Sequence, residues 1–441
     1  MHLIQQVLFI SVLSAVAYVF IKKSLSIYRN IMLGKAFNSY SSSSERMKNM
    51  LLVGLGQKKM FARPIAAIFH LFIYAAFVIT QIELIEIVLD GILGQHRLLG
   101  NAMQGTSLAG LYNFTISFIE ILSLLALIAT FVFLSRRNLI KLPRFNMAEL
   151  KGWPMKDANF ILLGEIFLVT CIFTMNSADF ALQARGNEHY HFTGNFVLSQ
   201  YIASIWSGCS DTTIILFERL GWWGHIIGIF GFLVYLPFSK HLHILLAFPN
   251  TYFSRTEAKG YISNMPEITR EIKYMMDPTQ PAPEANPDMK FGARDVQDLT
   301  WKNLLDAYSC TECGRCTSAC PANLTGKKLS PRKIMMDTRD RLEEVGKVID
   351  TKGKWEDDGK KLLHDYITQE ELSACTTCNA CVEECPINIS PLDIIVQLRR
   401  NLIMEESNAP AEWNNMFGNI ETNGAPWKFS QQDRGNWSNE M

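Results

Sequence analysis

The stretch Cys310-Thr-Glu-Cys313-Gly-Arg-Cys316-Thr-Ser-Ala-Cys320-Pro321 has a twin at Cys375-Thr-Thr-Cys378-Asn-Ala-Cys381-Val-Glu-Glu-Cys385-Pro386. Both read C-x2-C-x2-C-x3-C-P, the spacing that wraps thiolates around a cubane iron–sulfur cluster. Three sulfurs of one run reach three irons of one cluster. The fourth, just before proline, ligates the other cluster when two runs share a domain. Cys310, Cys313, Cys316 and Cys385 are therefore assigned to one [4Fe–4S] cluster. Cys375, Cys378, Cys381 and Cys320 are assigned to the second. Zinc has no use for a third C-x2 step or a terminal C-P. Eight of the ten cysteines lie in these runs, which points to a reducing compartment and away from disulfides. Cys171 and Cys209 stand alone and read as small buried hydrophobes.

Between the runs the chain is patterned for helices, at Pro331–Val348 and Gly359–Tyr366, without strand signals. A helical dicluster domain over residues 298–404 is expected, rather than a small β-rich ferredoxin. The tail, residues 405–441, scatters Trp413, Phe417, Trp427, Phe429 and Trp437 among polar residues. A merely disordered tail would be poor in aromatics, so it is expected to pack on its own domain or on a partner. Upstream, Asp277–Pro287 is a proline-rich, semi-extended stretch within a linker over residues 255–297.

Before that linker the chain changes character. Five apolar stretches, Leu3–Ile21, Ile65–Leu89, Leu111–Leu134, Phe160–Phe180 and Trp222–Phe248, each approach the roughly 20 residues that a bilayer crossing needs. The first is followed by Lys22 and Lys23 and preceded by no basic residue, the reverse of a signal peptide. Pro249 is read as the stop of the fifth. Residues before Arg255 carry 19 Lys+Arg against 12 Asp+Glu, and the excess is confined to two loops, 22–63 and 135–159. The other two, 90–110 and 181–221, hold only Arg97, Arg185 and Arg219. Basic loops stay in the cytoplasm. The N-terminus is expected outside, and everything after Pro249 inside, in agreement with the thiols' need for a reducing environment. The zero net charge offers no footprint for nucleic acid.

Intramembrane histidines are costly and usually functional. His70 lies six residues after Pro64, and His243 and His241 lie six and eight residues before Pro249. The second and fifth spans run antiparallel, so these positions share one depth. Two histidines on facing helices are what axial ligation of a b-type haem requires. On a continuous helix His241 and His243 point about 200° apart, so only one of them can ligate with His70. His225 is eighteen residues from His243, about 27 Å along a helix, and cannot share that site. Its counterpart position, ten residues after His70, is Thr80. His225 with Glu83 or Glu86 is read as part of a quinol site, accepting protons as electrons leave for the haem. The competing reading is a second haem using His225 with His96, His189 or His191. Glu165 is read as a structural carboxylate.

Five spans with such histidines resemble the cytochrome b, gamma-type subunit of membrane nitrate reductase. There the last helix bears two haem ligands at the spacing of His225 and His243, so the resemblance implies His70 and His243 as the inner axial pair, with His241 as fallback. It maps the outer pair onto Thr80 and His225, where this sequence lacks one ligand. The soluble part resembles the helical dicluster subunit of heterodisulfide reductases and of anaerobic glycerol-3-phosphate dehydrogenase. The fusion looks like the membrane-bound heterodisulfide-reductase-like iron–sulfur oxidoreductases. Tyr235-Leu-Pro-Phe-Ser-Lys-His-Leu-His243 and Trp301-Lys-Asn-Leu-Leu-Asp-Ala-Tyr-Ser-Cys310 are its most specific matches.

Taken together, the sequence predicts an all-α protein: a five-helix transmembrane cytochrome b-like bundle (residues 1–254) followed by a helical dicluster ferredoxin domain. Its expected cofactors are two [4Fe–4S] clusters and one haem b, or two, with menaquinone or another quinone as substrate. That family's CCG-type cysteine domain has no counterpart in this sequence, where no two cysteines are adjacent. A cytoplasmic CCG-type iron–sulfur reductase subunit is therefore the expected partner. The expected role is a non-catalytic electron-transfer subunit in a bacterial inner membrane. The alternative is a membrane-anchored iron–sulfur redox sensor.

Overall fold

A computed structural model describes residues 3–37, 41–191, 196–258, 260–282 and 289–439, the side chain of Arg434 apart. The part of the proline-rich linker at 283–288 lies outside the described residues. The first apolar stretch extends into α1, Leu3–Ile31, of 29 residues. At 1.5 Å per residue it is about 44 Å long, well beyond a hydrocarbon core of about 30 Å. The second span is α2, Pro64–Ile79, with proline at its first turn, followed after Thr80 by α3, Gln81–Leu93. The third and fourth are α4, Ala109–Asn138, and α5, Trp153–Ala184. The fifth is α6, Asp211–Tyr235, begun by a Ser210 side chain that accepts the Thr213 N–H. Five helices are thus long and apolar enough to cross a membrane.

The fifth span ends earlier than the sequence suggested. Pro237 has no N–H to donate and its ring crowds the carbonyl four residues back, which stops the α-helix. Ser239 is extended (φ −114°, ψ 154°), and its hydroxyl accepts the His241 N–H to start a tight turn, Lys240–Leu242. A separate helix, α7, runs from His243 to Tyr252 straight through Pro249. His241, on the turn, and His243, the first residue of α7, therefore both stand outside the membrane-crossing helix.

In the bundle α5 lies along α6, α2 along α4, and α1 against α3 and α6. Phe9 is fully buried among Ile87, Ile172, Met175, Trp222, Ile226 and Phe230. Gly91 makes this possible, because a Cβ there would stand 2.6 Å from the Phe9 ring.

The soluble domain is helical too, and among the described residues there is no strand. Its frame is α8 (Trp301–Ser309), α9 (Pro331–Lys352) and α10 (Pro391–Arg400). Thr300 and Asn303 form a capping box on α8, and the Ser330 hydroxyl caps α9. Its hydrophobic core contains Leu304, Ile334, Leu342, Ile394 and Leu398. Ile27, Ile31 and Leu242 from the membrane part are built into the same core. Around it, Asn30 Nδ2 donates to Tyr308 Oη at 3.0 Å, Lys23 pairs with Glu343 at 3.0 Å, and Arg29 pairs with Asp350. Lys35 and Thr300 form a β-bridge. The dicluster domain thus sits on the side of the basic loops. In the tail, Ala411–Asn423 is helical, and Trp427, Phe429 and Trp437 are exposed rather than packed on their own domain.

Candidate functional site

Each cysteine run coils the same way. Glu312 and Thr377, which precede the second cysteine of each run, are both left-handed (φ 55° and 56°). Gly314 and Asn379, which follow it, are left-handed as well (φ 69° and 60°). Non-glycine residues adopt this region at a cost of roughly 1–2 kcal/mol, because Cβ meets the following carbonyl. Repeating that cost at matching positions turns successive thiols toward a common centre. Cys310, Cys313, Cys316, Cys381 and Cys385 line one cavity. Four of these are the set the spacing assigned to the first cluster, and Cys381, assigned to the second, borders the same space. Cys320, Cys375, Cys378 and Cys381 neighbour one another electrostatically as the second set.

Backbone N–H groups of Thr377 and Ile389 point at the sulfurs of Cys375 and Cys385, at 3.4 and 3.3 Å. Such bonds tune the potential of a bound cluster. Burial pushes the thiols of Cys310 and Cys381 up to about 12 and that of Cys385 up to about 11. Loading with iron therefore displaces protons. Among the described residues, no three His, Cys, Asp or Glu side chains converge on a single ion. A cubane differs in spreading its ligands over separate irons. The donor set, cavity and N–H···S bonds fit two [4Fe–4S] clusters. Cys320 and Cys381 are buried, whereas Cys378 is exposed, so the second set reaches the surface.

The histidines gather beside the first set. His70 Nδ1 lies 3.1 Å from Gln57 Oε1, and His243 Nδ1 lies 3.0 Å from the Lys240 carbonyl. In each ring the Nδ1 proton is held by an oxygen, leaving Nε2 as a lone pair, the arrangement a metal-binding imidazole needs. Because His241 lies on the turn and His243 opens α7, their rings are 5.5 Å apart rather than on opposite helix faces. Burial, with His243, Lys240 and His70 nearby, holds His241 well below the usual imidazole range. Burial also lowers His243, against its bond to the Lys240 carbonyl. Both are neutral ligand forms at pH 7. His241 Nδ1 is buried with no partner among the described residues. These donors fit axial ligation of a haem.

Two contacts join the histidine segments to the first cysteine run. Lys240 Nζ lies 2.6 Å from Glu312, between Cys310 and Cys313. Arg315, between Cys313 and Cys316, donates to the carbonyl of Lys59 at 3.3 Å, two residues beyond Gln57. Gln57, itself buried and left-handed, was not singled out from sequence. A polar residue within a segment flanked by basic ones carries no signal before its backbone is known.

At the far end of the bundle Glu83 and Glu86 line a cavity, but His225 does not. The α6 residues there are Glu218, Arg219 and Trp222. His225 is one turn further toward the clusters, its Nδ1 3.1 Å from the Leu168 carbonyl. His189 and His191 are exposed. The cavity instead brings His96, Arg97 and Asp179 to Glu83, a grouping the sequence reading missed. Its signal was Arg97, the one basic residue of its loop, placed shortly after Glu83, Glu86 and Asp90.

Residues 309–389 match the 4Fe-4S dicluster domain family. The chain is 28% identical over 462 residues to the probable iron-sulfur-binding oxidoreductase FadF of Bacillus subtilis, covering 98% of this chain and 60% of that protein. It is 27% identical to the EtfAB:quinone oxidoreductase of Syntrophomonas wolfei, over 90% of this chain and 54% of that protein. Over 102 residues it is 36% identical to one subunit of the ferredoxin/F(420)H(2)-dependent CoB-CoM heterodisulfide reductase of Methanosarcina acetivorans, covering 23% of this chain and 49% of that one. The chain spans between half and three fifths of the length of the first two relatives. No solved structure matches it. The dicluster domain places this chain among iron–sulfur electron-transfer proteins, and its relatives are iron–sulfur oxidoreductases and their subunits.

Proposed function

We propose that this protein passes electrons between a membrane quinone pool and a partner iron–sulfur reductase subunit. A haem b held by His70 and His243, with His241 as the fallback, would supply a one-electron carrier at the cluster-facing end of the bundle. Lys240 and Gln57 hold the Nδ1 side of the two rings, and Arg315 and Glu312 tie the same segments to the first cysteine run. The Lys240–Glu312 contact carries this reading, because it fixes the histidine turn against the backbone between Cys310 and Cys313. Exit toward the partner is through the second set, at exposed Cys378. The EtfAB:quinone oxidoreductase relative supports the quinone, and the heterodisulfide reductase relative supports a separate partner subunit. The bundle lies in a bacterial inner membrane with its N-terminus outside and the dicluster domain cytoplasmic, in keeping with the loop charges.

The test is a reduced-minus-oxidised optical spectrum with electron paramagnetic resonance of the purified chain. The parent is expected to show a b-type haem band and two cluster signals. His70→Leu and His243→Leu should each lose the haem band and keep the cluster signals, while His225→Leu keeps both. A haem band that survives both of the first two substitutions sinks the assignment.

A further inference from the structure

The far-end cavity contains two buried polar atoms without a hydrogen-bond partner among the described residues. Glu83 is 4% exposed, and its Oε1 has no hydrogen-bond partner among the described residues. Arg97 Nη1 stands 4.0 Å from it, beyond hydrogen-bond reach. His96 Nδ1 is likewise buried and unpartnered among the described residues. The neighbouring carboxylates are engaged. Glu86 accepts from the Gly100 N–H at 3.0 Å and from the Tyr112 hydroxyl at 2.9 Å. Asp90 accepts the N–H groups of Arg97 and Leu98, both at 2.9 Å. Asp179 holds Arg97 Nε at 2.7 Å. Unsatisfied atoms in a polar cavity carry a desolvation cost until water or a ligand supplies partners.

We propose that this cavity takes the oxygenated head group of the quinone, with Glu83 Oε1 and His96 Nδ1 as its two proton partners and Asp179 as the residue that positions His96. The inference rests on the quinone reading above and places the chemistry on His96 instead of His225. His96 Nε2 lies 3.5 Å from Asp179 Oδ1. That carboxylate favours the tautomer with its proton on Nε2, which leaves the Nδ1 lone pair facing the cavity. In the oxidative direction both O–H bonds of the quinol break. One proton would go to the Glu83 carboxylate and one to His96 Nδ1, and two electrons would leave singly to the haem b that His70 and His243 would hold as the one-electron oxidant, giving the quinone. Reduction reverses each step. The His96 side chain is 23% exposed, so its proton has a way to water on the face opposite the clusters. His96 is faced by Asp179 of α5, Arg97 of its own loop, Glu218 and Arg219 of α6, and the Tyr190 ring. Burial lowers it, and Asp179 opposes that most strongly.

The experiment uses the full chain in lipid nanodiscs, with a naphthoquinol as donor and cluster reduction followed optically. Glu83→Gln and His96→Gln should each slow quinol-driven reduction at least tenfold, while dithionite reduces the same centres to the same extent as in the parent. Asp179→Asn should move the acid limb of the rate–pH profile to lower pH, since His96 loses the charge that favours its protonated form. A merely structural Asp179 would leave that limb in place. Because Glu83 Oε1 makes no hydrogen bond among the described residues, its substitution tests the proposal even if His96→Gln fails to fold. If parent and both variants react with quinol at equal rates, this inference is overturned alone. If the dithionite-reducible parent ignores quinol, the quinone reading falls and this inference with it.

Discussion

At the scale of single residues, burial outweighs pairing at Asp337. Asp337 lies on α9 with Lys333 Nζ 2.7 Å away, yet burial pushes its carboxyl up to about 6. A carboxyl raised in the fold stabilises below its unfolded range near 4, and that contribution is lost as pH rises through 6. Lowering pH from 7.5 to 5.5 should therefore add about 1 kcal/mol to unfolding stability through this group. Asp337→Asn should abolish the increment and be the more stable form at pH 7.5. Denaturant titrations at the two pH values check this, and an unchanged pH dependence in the variant would refute it. The cysteines were legible because ligand spacing is written along the chain. Partners such as Gln57 for His70, or Asp179 for His96, were not, because only the folded backbone brings them together.

At the scale of elements, one close approach controls how the membrane part meets the soluble part. A Cβ on Gly34 would stand 2.5 Å from the Trp301 backbone nitrogen, beside the bridge in which Trp301 N–H donates to the Lys35 carbonyl at 3.0 Å. Backbone cannot swing aside as a side-chain tip can. Gly34→Ala should cost on the order of 1–3 kcal/mol and lower the temperature at which cluster absorbance bleaches. Equal bleaching curves would show that the bridge contributes nothing. The five helices and the helical dicluster domain were readable from apolar run length and from the absence of strand patterning. The end of the fifth was not. Pro249 looked like the stop, but Pro237 with extended Ser239 breaks the helix first, and this break is what brings His241 and His243 together.

At the scale of the whole molecule, the basic loops have a second occupation. Lys23, Arg29, Lys59 and Arg63, read from sequence as topology signals, bond to Glu343, Asp350, Asn388 and Glu384 of the dicluster domain. Partly exposed pairs of this kind contribute little each, roughly 0–1 kcal/mol. The shared apolar core around Ile27, Ile31 and Leu242 is the stronger bond. Cutting the chain at an engineered protease site within residues 277–282 should therefore leave the dicluster domain with the membrane fraction in 1 M salt. Its release by salt would mean that charge alone holds the two parts together.

The helix α1 finally bears on how the protein is made. Asn30 waits 278 residues for Tyr308, and Lys23 waits 320 for Glu343. The soluble core cannot close until the first helix is already threaded through lipid and nearly every later codon has been translated. Iron delivery thus comes last. A ribosome stalled midway leaves Ile27 and Ile31 bare to water, where a chaperone would have to shelter them.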